Sequence, residues 1–244
     1  MHSVIITGAS RGLGLGMAQR LAKAGYRAIA VARSESEALV AAQAAAAEQG
    51  AGEIVFRPMD LSKVEAIGEF VRGLRSEFGA PWGLVNNAGL GTDGLLANMH
   101  LTQIEALVRL NTVSPIVMTK FAVRAMMAAG EGRVINVSSI IATTGYSGLS
   151  VYGATKASAI GFTKSLAREV GRLGVTVNCV APGFMETELT AGLGEEGRDQ
   201  VRRRSALRRL AEVEDVAAMV EFLLGEGGRN ITGAVMTIDA GNTA

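Results

Sequence analysis

The chain has 244 residues, 48% of them hydrophobic and 19% charged, enough apolar material for a substantial core and too much for a disordered chain. Its 24 Lys and Arg against 23 Asp and Glu leave a formal net charge of +1, so no overall field favours nucleic acid or an anionic membrane. One cysteine, Cys179, and two histidines, His2 and His100, exclude an internal disulfide and a zinc site built from several Cys and His. The N-terminal MHSVIITGAS lacks the basic region and apolar core of a signal peptide, and no apolar run is long enough to span a bilayer. A cytoplasmic location is expected.

In chain order the pattern predicts a strand at 3–7, a helix over 14–24, a strand at 27–33 and an alanine-rich helix over 35–49 ending at Gly50. A strand at 53–59, a helix over 64–78, a strand at 84–87 and a long helix over 102–129 follow. The remainder reads as a strand at 133–138, a helix over 152–173, a strand at 175–180, a helix over 212–224 and a strand at 234–238. Runs such as SVIIT, RVINVS and VTVNCVA are almost continuously apolar, as strands buried on both faces are. Strict alternation implies an α/β fold: a Rossmann-type, doubly wound parallel sheet of about seven strands with helices on both faces. No Pro/Gly/Ser linker divides the chain, so residues 1–244 are expected to form a single domain. The segment 184–210 interrupts the alternation with polar residues and glycines, and is expected to be a substrate lid; a surface helical hairpin is the alternative.

Residues 7–14 read TGASRGLG, directly between the first strand and the first helix. Gly8, Gly12 and Gly14 supply a tight turn that lets the backbone approach a ligand, and the helix N-terminus suits a pyrophosphate. Ser10, Arg11 and Leu13 fill the rest of the candidate phosphate turn. The spacing is GxxxGxG, which differs from the commoner GxGxxG. An acidic residue closing the second strand would bond a ribose 2′-hydroxyl and select NAD. Here that strand ends Ala-Val-Ala-Arg33-Ser34, so Arg33 and Arg11 can clamp a 2′-phosphate and the expected cofactor is NADPH/NADP+. Asp60 can accept from an adenine amino group, with Leu61 beside it, or Asp60 and Ser62 can cap the following helix.

The stretch 137–156 reads VSSIIATTGYSGLSVYGATK. Tyr152 and Lys156 stand four apart at the start of a helix and share one face. A tyrosine ordinarily loses its proton near pKa ~10, and an ammonium one turn away favours the phenolate. Ser139, at the end of a strand, can donate to a substrate oxygen. The group found in order behind a dinucleotide turn is more telling than any member alone.

With TGASRGLG, NNAG at 86–89, Asn111 in RLNTVSP, Ser139, YGATK at 152–156 and PG at 182–183, the sequence resembles the short-chain dehydrogenase/reductase family over nearly its whole length. The resemblance implies a catalytic tetrad of Asn111, Ser139, Tyr152 and Lys156. Tyr152 would protonate the carbonyl oxygen, Ser139 would polarise it, and Asn111 would anchor a proton-relaying water. Lys156 would lower the tyrosine pKa and hold the nicotinamide ribose. It also implies that Asn87, Ala88 and Gly89 border the cofactor and that Pro182, Gly183 and Thr187 meet its nicotinamide end.

Within the family the sequence is most similar to the 3-oxoacyl-acyl-carrier-protein reductases, on SLAREVGRLGVTVNCVAPGFMET, RAMM at 124–127 and ITGAVMTIDAG. That likeness implies a homotetramer reducing 3-oxoacyl thioesters linked to acyl carrier protein or CoA. Two positions depart from it. The segment before the fifth strand, often basic and used to dock the acidic carrier, reads AAGEGR and offers only Arg133; Leu173 replaces an expected arginine, though Arg172 adjoins it. Arg202, Arg203, Arg204, Arg208 and Arg209 can compensate, or can be a solvated face balanced by Glu195, Glu196 and Asp199. A ketone reductase or alcohol dehydrogenase acting on a free substrate, and a non-catalytic NADP-binding regulator, are the competing readings. Cys179 reads as a buried, inert thiol, His100 as a surface residue, and Trp82 as packing. Met99, Phe184 and Met185 are candidates for lining an acyl pocket.

Overall fold

The computed structural model describes residues 1–91, 94–185 and 194–244. Seven strands form one parallel sheet in the order β3-β2-β1-β4-β5-β6-β7. They are β1 (Ser3–Thr7), β2 (Arg27–Ala32), β3 (Glu53–Pro58), β4 (Gly83–Asn86), β5 (Gly132–Val137), β6 (Val175–Pro182) and β7 (Val235–Ile238). Every residue of β1, β4, β5 and β6 is buried, which is the consequence of covering a parallel sheet on both sides.

Alternation along β1 divides the core. Val4 and Ile6 pack with α1 (Gly12–Lys23), α2 (Glu37–Gln49) and the late helix Val213–Leu224 through Met17, Leu21, Leu39 and Val220. Ile5 faces the opposite layer, where Ile67 and Val71 of α3 (Ile67–Phe78) meet Met118 of the helix Ser114–Ala129 and Leu166 of the helix Ser150–Val170. The Ser36 hydroxyl accepts from the Leu39 N–H at 3.1 Å and starts α2; Gly50, at φ +66°, ends it.

The helix expected over 102–129 is three pieces: α4 (Leu101–Val108), a π-helical turn Arg109–Val113 and α5 (Ser114–Ala129). Pro115 explains the break. In a continuous α-helix its N–H would meet the Asn111 carbonyl, and proline has none to give. Asn111 thus sits inside a π turn, an irregularity concentrated at functional sites.

The expected helix over 64–78 begins as a 3₁₀ turn, Val64–Ala66, without a side-chain cap. Asp60 does not cap it; its Oδ1 accepts from the Ser62 N–H at 3.0 Å and the Ser62 hydroxyl at 2.7 Å, closing a local turn instead. A short helix α6 (Ile141–Thr144), absent from the sequence reading, fills the β5 connection before α7 (Ser150–Val170). In the interrupting segment the described part is Phe184, Met185 and α8 (Gly194–Arg204) onward; Thr187 lies outside the described residues. The helix Val213–Leu224 is α9. No helix among the described residues is long and apolar enough to cross a membrane.

Candidate active site

The sheet order reverses between β1 and β4, so the loops leaving their carboxyl ends diverge and open a crevice. Thr7 holds its two lips together. Its hydroxyl donates to the Val85 carbonyl at 3.3 Å and accepts from the N–H groups of Asn87 and Ala88 at 2.9 and 3.0 Å. Asn87 returns its side-chain amide to the Thr7 carbonyl at 2.9 Å.

A cleft of about 880 Å³ follows these carboxyl ends, large enough for a dinucleotide-sized ligand. One wall is the glycine turn, where Gly8 and Gly12 take φ of +69° and +53°. Gly14 is required by contact: a Cβ there would stand 2.2 Å from the Gly8 carbonyl oxygen. No acidic residue occupies the first turn of α1, so its positive end is left for an anion. Ser10, Arg11, Leu13, Arg33, Asp60 and Leu61 line the same end, with Ser34 and Ser36, which sequence reasoning missed. Ser36 could have been found from its cap position; its hydroxyl also donates to the Ser10 carbonyl and ties α2 to the turn.

The other end is walled by Ala88, Gly89, Ser139, Tyr152, Lys156, Pro182, Gly183, Phe184 and Met185. Tyr152 and Lys156 project from the first turns of α7, and Ser139 follows β5. Ser139 hydrogen-bonds the Tyr152 side chain, which pulls the phenol pKa down, but burial pushes it up more strongly and the phenol stays above its ordinary range. The lowering comes from Ser139; the depression expected from Lys156 is not found. The Lys156 Nζ lies 5.8 Å from the Tyr152 ring centre and donates to the Val137 carbonyl at 2.9 Å. Burial lowers its own pKa to about 8. At neutral pH the arrangement is a protonated phenol beside an ammonium that is still largely charged, a pairing suited to giving a proton away.

Asn111 does not line the cleft. Its amide donates to the Leu90 carbonyl at 2.9 Å and to the Thr155 hydroxyl at 3.1 Å, while its Oδ1 accepts from the Leu90 N–H at 2.8 Å. The side chain thus joins the loop after β4 to α7, three residues from Tyr152. A Cβ at Gly89 would fall 3.3 Å from Asn111 Oδ1 and 3.5 Å from Lys156 Nζ, so glycine lets these three meet. Ser138, missed by sequence reasoning, anchors α7 through a 2.7 Å bond to the Lys156 carbonyl.

A family model for short chain dehydrogenases matches residues 2–198. The chain belongs to that family. The 3-oxoacyl-acyl-carrier-protein reductase of Vibrio cholerae is similar to this short-chain dehydrogenase at 38% identity over 237 residues, 97% of this chain and 95% of the relative. The reductase of the same name from Escherichia coli is 37% identical with the same coverage. A Burkholderia cenocepacia short chain dehydrogenase solved in complex with NADP gives a TM-score of 0.92 at 35% identity, covering 100% of this chain and 98% of its own. A Serratia marcescens short-chain dehydrogenase/reductase gives 0.92 at 32% identity with the same coverage. This short-chain dehydrogenase is an oxidoreductase that acts between CH–OH and C=O groups.

Arg133, the basic residue offered by the segment before β5, is buried at the opposite end of the strands and is no surface charge. Its guanidinium lies 4.6 Å over the Trp82 ring, which stacks on His2 with centroids 4.2 Å apart. Arg202 is engaged by Glu195 and Asp199 on α8, whereas Arg203, Arg204, Arg208 and Arg209 are exposed. Cys179 is fully buried in β6 and its thiol is pushed up to about 11, so it is no nucleophile at neutral pH. His100 caps α4 and is exposed.

Proposed function

We propose that this short-chain dehydrogenase uses NADPH to reduce the keto group of a 3-oxoacyl thioester to the 3-hydroxyacyl thioester, with the whole chain acting as one catalytic domain that assembles as a homotetramer. The observation that carries the catalytic reading is the convergence of Ser139, Tyr152 and Lys156 in the cleft that the glycine turn also lines. The residues fit the dinucleotide: Gly8, Gly12 and Gly14 clear a path for phosphates, and Arg33 with Arg11 stands where a 2′-phosphate would lie, with no carboxylate closing β2. Asp60 and Leu61 would border the adenine. Asn87, Ala88, Gly89, Pro182 and Gly183 would flank the nicotinamide half.

When bound, NADPH supplies the hydride. The chain supplies the proton and the orientation. Tyr152 gives its phenolic proton to the carbonyl oxygen, and the Ser139 hydroxyl holds that oxygen in place. The Lys156 ammonium stabilises the phenolate left behind and would hold the ribose. Asn111 positions the Leu90 loop against α7 and would anchor a proton-relaying water.

A second reading, reduction of a free ketone, is favoured by the burial of Arg133, which removes a charge that would dock an acidic carrier. A panel with NADPH oxidation as the readout separates the two. Turnover of an acetoacetyl thioester at a higher kcat/KM than simple or cyclic ketones supports the first. Brisk turnover of a free ketone without any thioester turnover replaces it with the second.

A further inference from the structure

At the Tyr152 end of the cleft, Pro182 closes β6 and Gly183, Phe184 and Met185 continue the wall. That wall is backed by the other end of the chain. Pro182 pairs with Ile238 of β7, and the Gly183 N–H donates to the Ile238 carbonyl at 2.9 Å. Asp239 comes next and lies so close that a Cβ on Gly183 would stand 2.7 Å from Asp239 Cβ and 2.8 Å from its Cα. The same wall is tied to the loop of the catalytic serine, because the Ile140 N–H donates to the Pro182 carbonyl at 3.1 Å. Asp239 itself does not line the cleft.

Asp239 is only 9% exposed, and its carboxylate winds the residues that follow it into a turn. Its Oδ1 accepts from the Gly241 N–H at 2.8 Å, and its Oδ2 from the Thr243 N–H at 2.9 Å and the Thr243 hydroxyl at 2.7 Å. The winding takes Ala240 and Gly241 to φ of +55° and +75°. An alanine resists that conformation and keeps it only where its surroundings over-determine it. The result is two successive carbonyls turned toward the chain that returns after α8. The Leu207 N–H donates to the Ala240 carbonyl at 3.0 Å and the Ala206 N–H to the Gly241 carbonyl at 3.2 Å. The Asn242 amide adds bonds to the Ser205 hydroxyl at 3.3 Å and the Val201 carbonyl at 3.4 Å. One turn therefore grips Gly183, where the chain leaves the sheet, and residues 205–207, where it comes back.

We propose that Asp239 is a positioning residue for the reduction: by winding the C-terminal turn it holds the wall at Gly183 in place across from Ser139 and Tyr152. It acts through Gly183 and through the chain after α8, touching neither the reacting groups nor the nucleotide site. The phosphate turn and Arg33 stand at the other end of the cleft, on the loops after β1 and β2, and keep their geometry without it. Loss of Asp239 is therefore felt in one half of the cleft. The inference rests on the reading above in taking the Tyr152 end as the nicotinamide end.

The test compares wild type, Asp239→Ala and Thr243→Val with two ligands and one reaction. NADPH spans the whole cleft, whereas adenosine 2′,5′-bisphosphate reaches only the Arg33 end. Asp239→Ala is expected to lower kcat/KM for an acetoacetyl thioester by about ten- to a hundredfold, the scale of a small misplacement away from the chemistry. It is expected to weaken NADPH by about three- to tenfold, leave the Kd for the bisphosphate unchanged, and speed amide exchange at Ala206 and Leu207. Thr243→Val removes one of the three bonds to the carboxylate and is expected to move the same quantities less; it carries the test if Asp239→Ala does not fold. An unmoved kcat/KM, or unchanged exchange at those two amides, overturns the proposal. Equal weakening of NADPH and the bisphosphate marks a general loss of structure and also overturns it. So does a loss accompanied by a changed mass in light scattering, which assigns the turn to a contact between copies. No thioester turnover in wild type removes the thioester reading alone, and the positioning role then stands or falls on the two binding constants and the exchange.

Discussion

Replacing Tyr152 by Phe is expected to lower kcat for carbonyl reduction by about 10²–10⁴-fold while leaving the Kd for NADPH and the far-ultraviolet circular dichroism unchanged. The change deletes one oxygen. The ring stays in its half-buried place at the start of α7, and the phosphate turn, at the other end of the cleft, is untouched. What is lost is the proton donor paired with Ser139; Ser139 itself is a far weaker acid, and the Lys156 Nζ stands 5.8 Å behind, at the Tyr152 ring, with one of its protons on the Val137 carbonyl. Because burial holds the Tyr152 phenol above its ordinary pKa, the wild-type donor stays protonated at neutral pH and reduction does not depend on a small phenol fraction. A Phe variant retaining more than a tenth of wild-type kcat would remove Tyr152 from the acid's role.

Arg33→Ala is expected to weaken NADPH binding about 10- to 100-fold and leave NADH binding almost unchanged. The magnitude follows from a charge-assisted contact to phosphate, ~1.5–3 kcal/mol, at ~1.4 kcal/mol per decade. Arg33 follows β2 directly, where the chain leaves the sheet beside the glycine turn. Arg11 lines the same end and takes part of the load, which keeps the effect at the lower end of the range. Titration of both nucleotides against wild type and variant by fluorescence decides it. Equal affinity of wild type for NADPH and NADH would remove the 2′-phosphate clamp.

Much of this arrangement was legible because the residues that build it act locally. The glycine turn is readable in TGASRGLG since its requirements, positive φ at Gly8 and Gly12 and no Cβ at Gly14, admit little but glycine. Buried strands are readable because covering both faces makes them continuously apolar. The π turn was not, although Pro115 carried a signal: four residues after Asn111, it marks the carbonyl that an α-helix could not satisfy. Asp60 was ambiguous between cap and cofactor contact, and the outcome, a turn closed on Ser62, depended on a 3₁₀ start for which the spacing gave no warning. Arg133 misled because charge suggests surface. Its burial needs Trp82 and His2, which come from two other parts of the chain and meet it only when β1, β4 and β5 are side by side.

The central claim is that this chain moves a hydride from NADPH to a thioester's keto carbon while Tyr152 gives the proton. A single-turnover reaction of the protein with NADPH carrying deuterium at both C4 positions of the nicotinamide and an acetoacetyl thioester, read by mass spectrometry, tests it most directly. The expected product is a 3-hydroxybutyryl thioester carrying one deuterium on C3, formed in step with NADPH loss and at least about 10²-fold more slowly with Tyr152→Phe. Unlabelled product, or no NADPH consumption in the presence of the thioester, would contradict it.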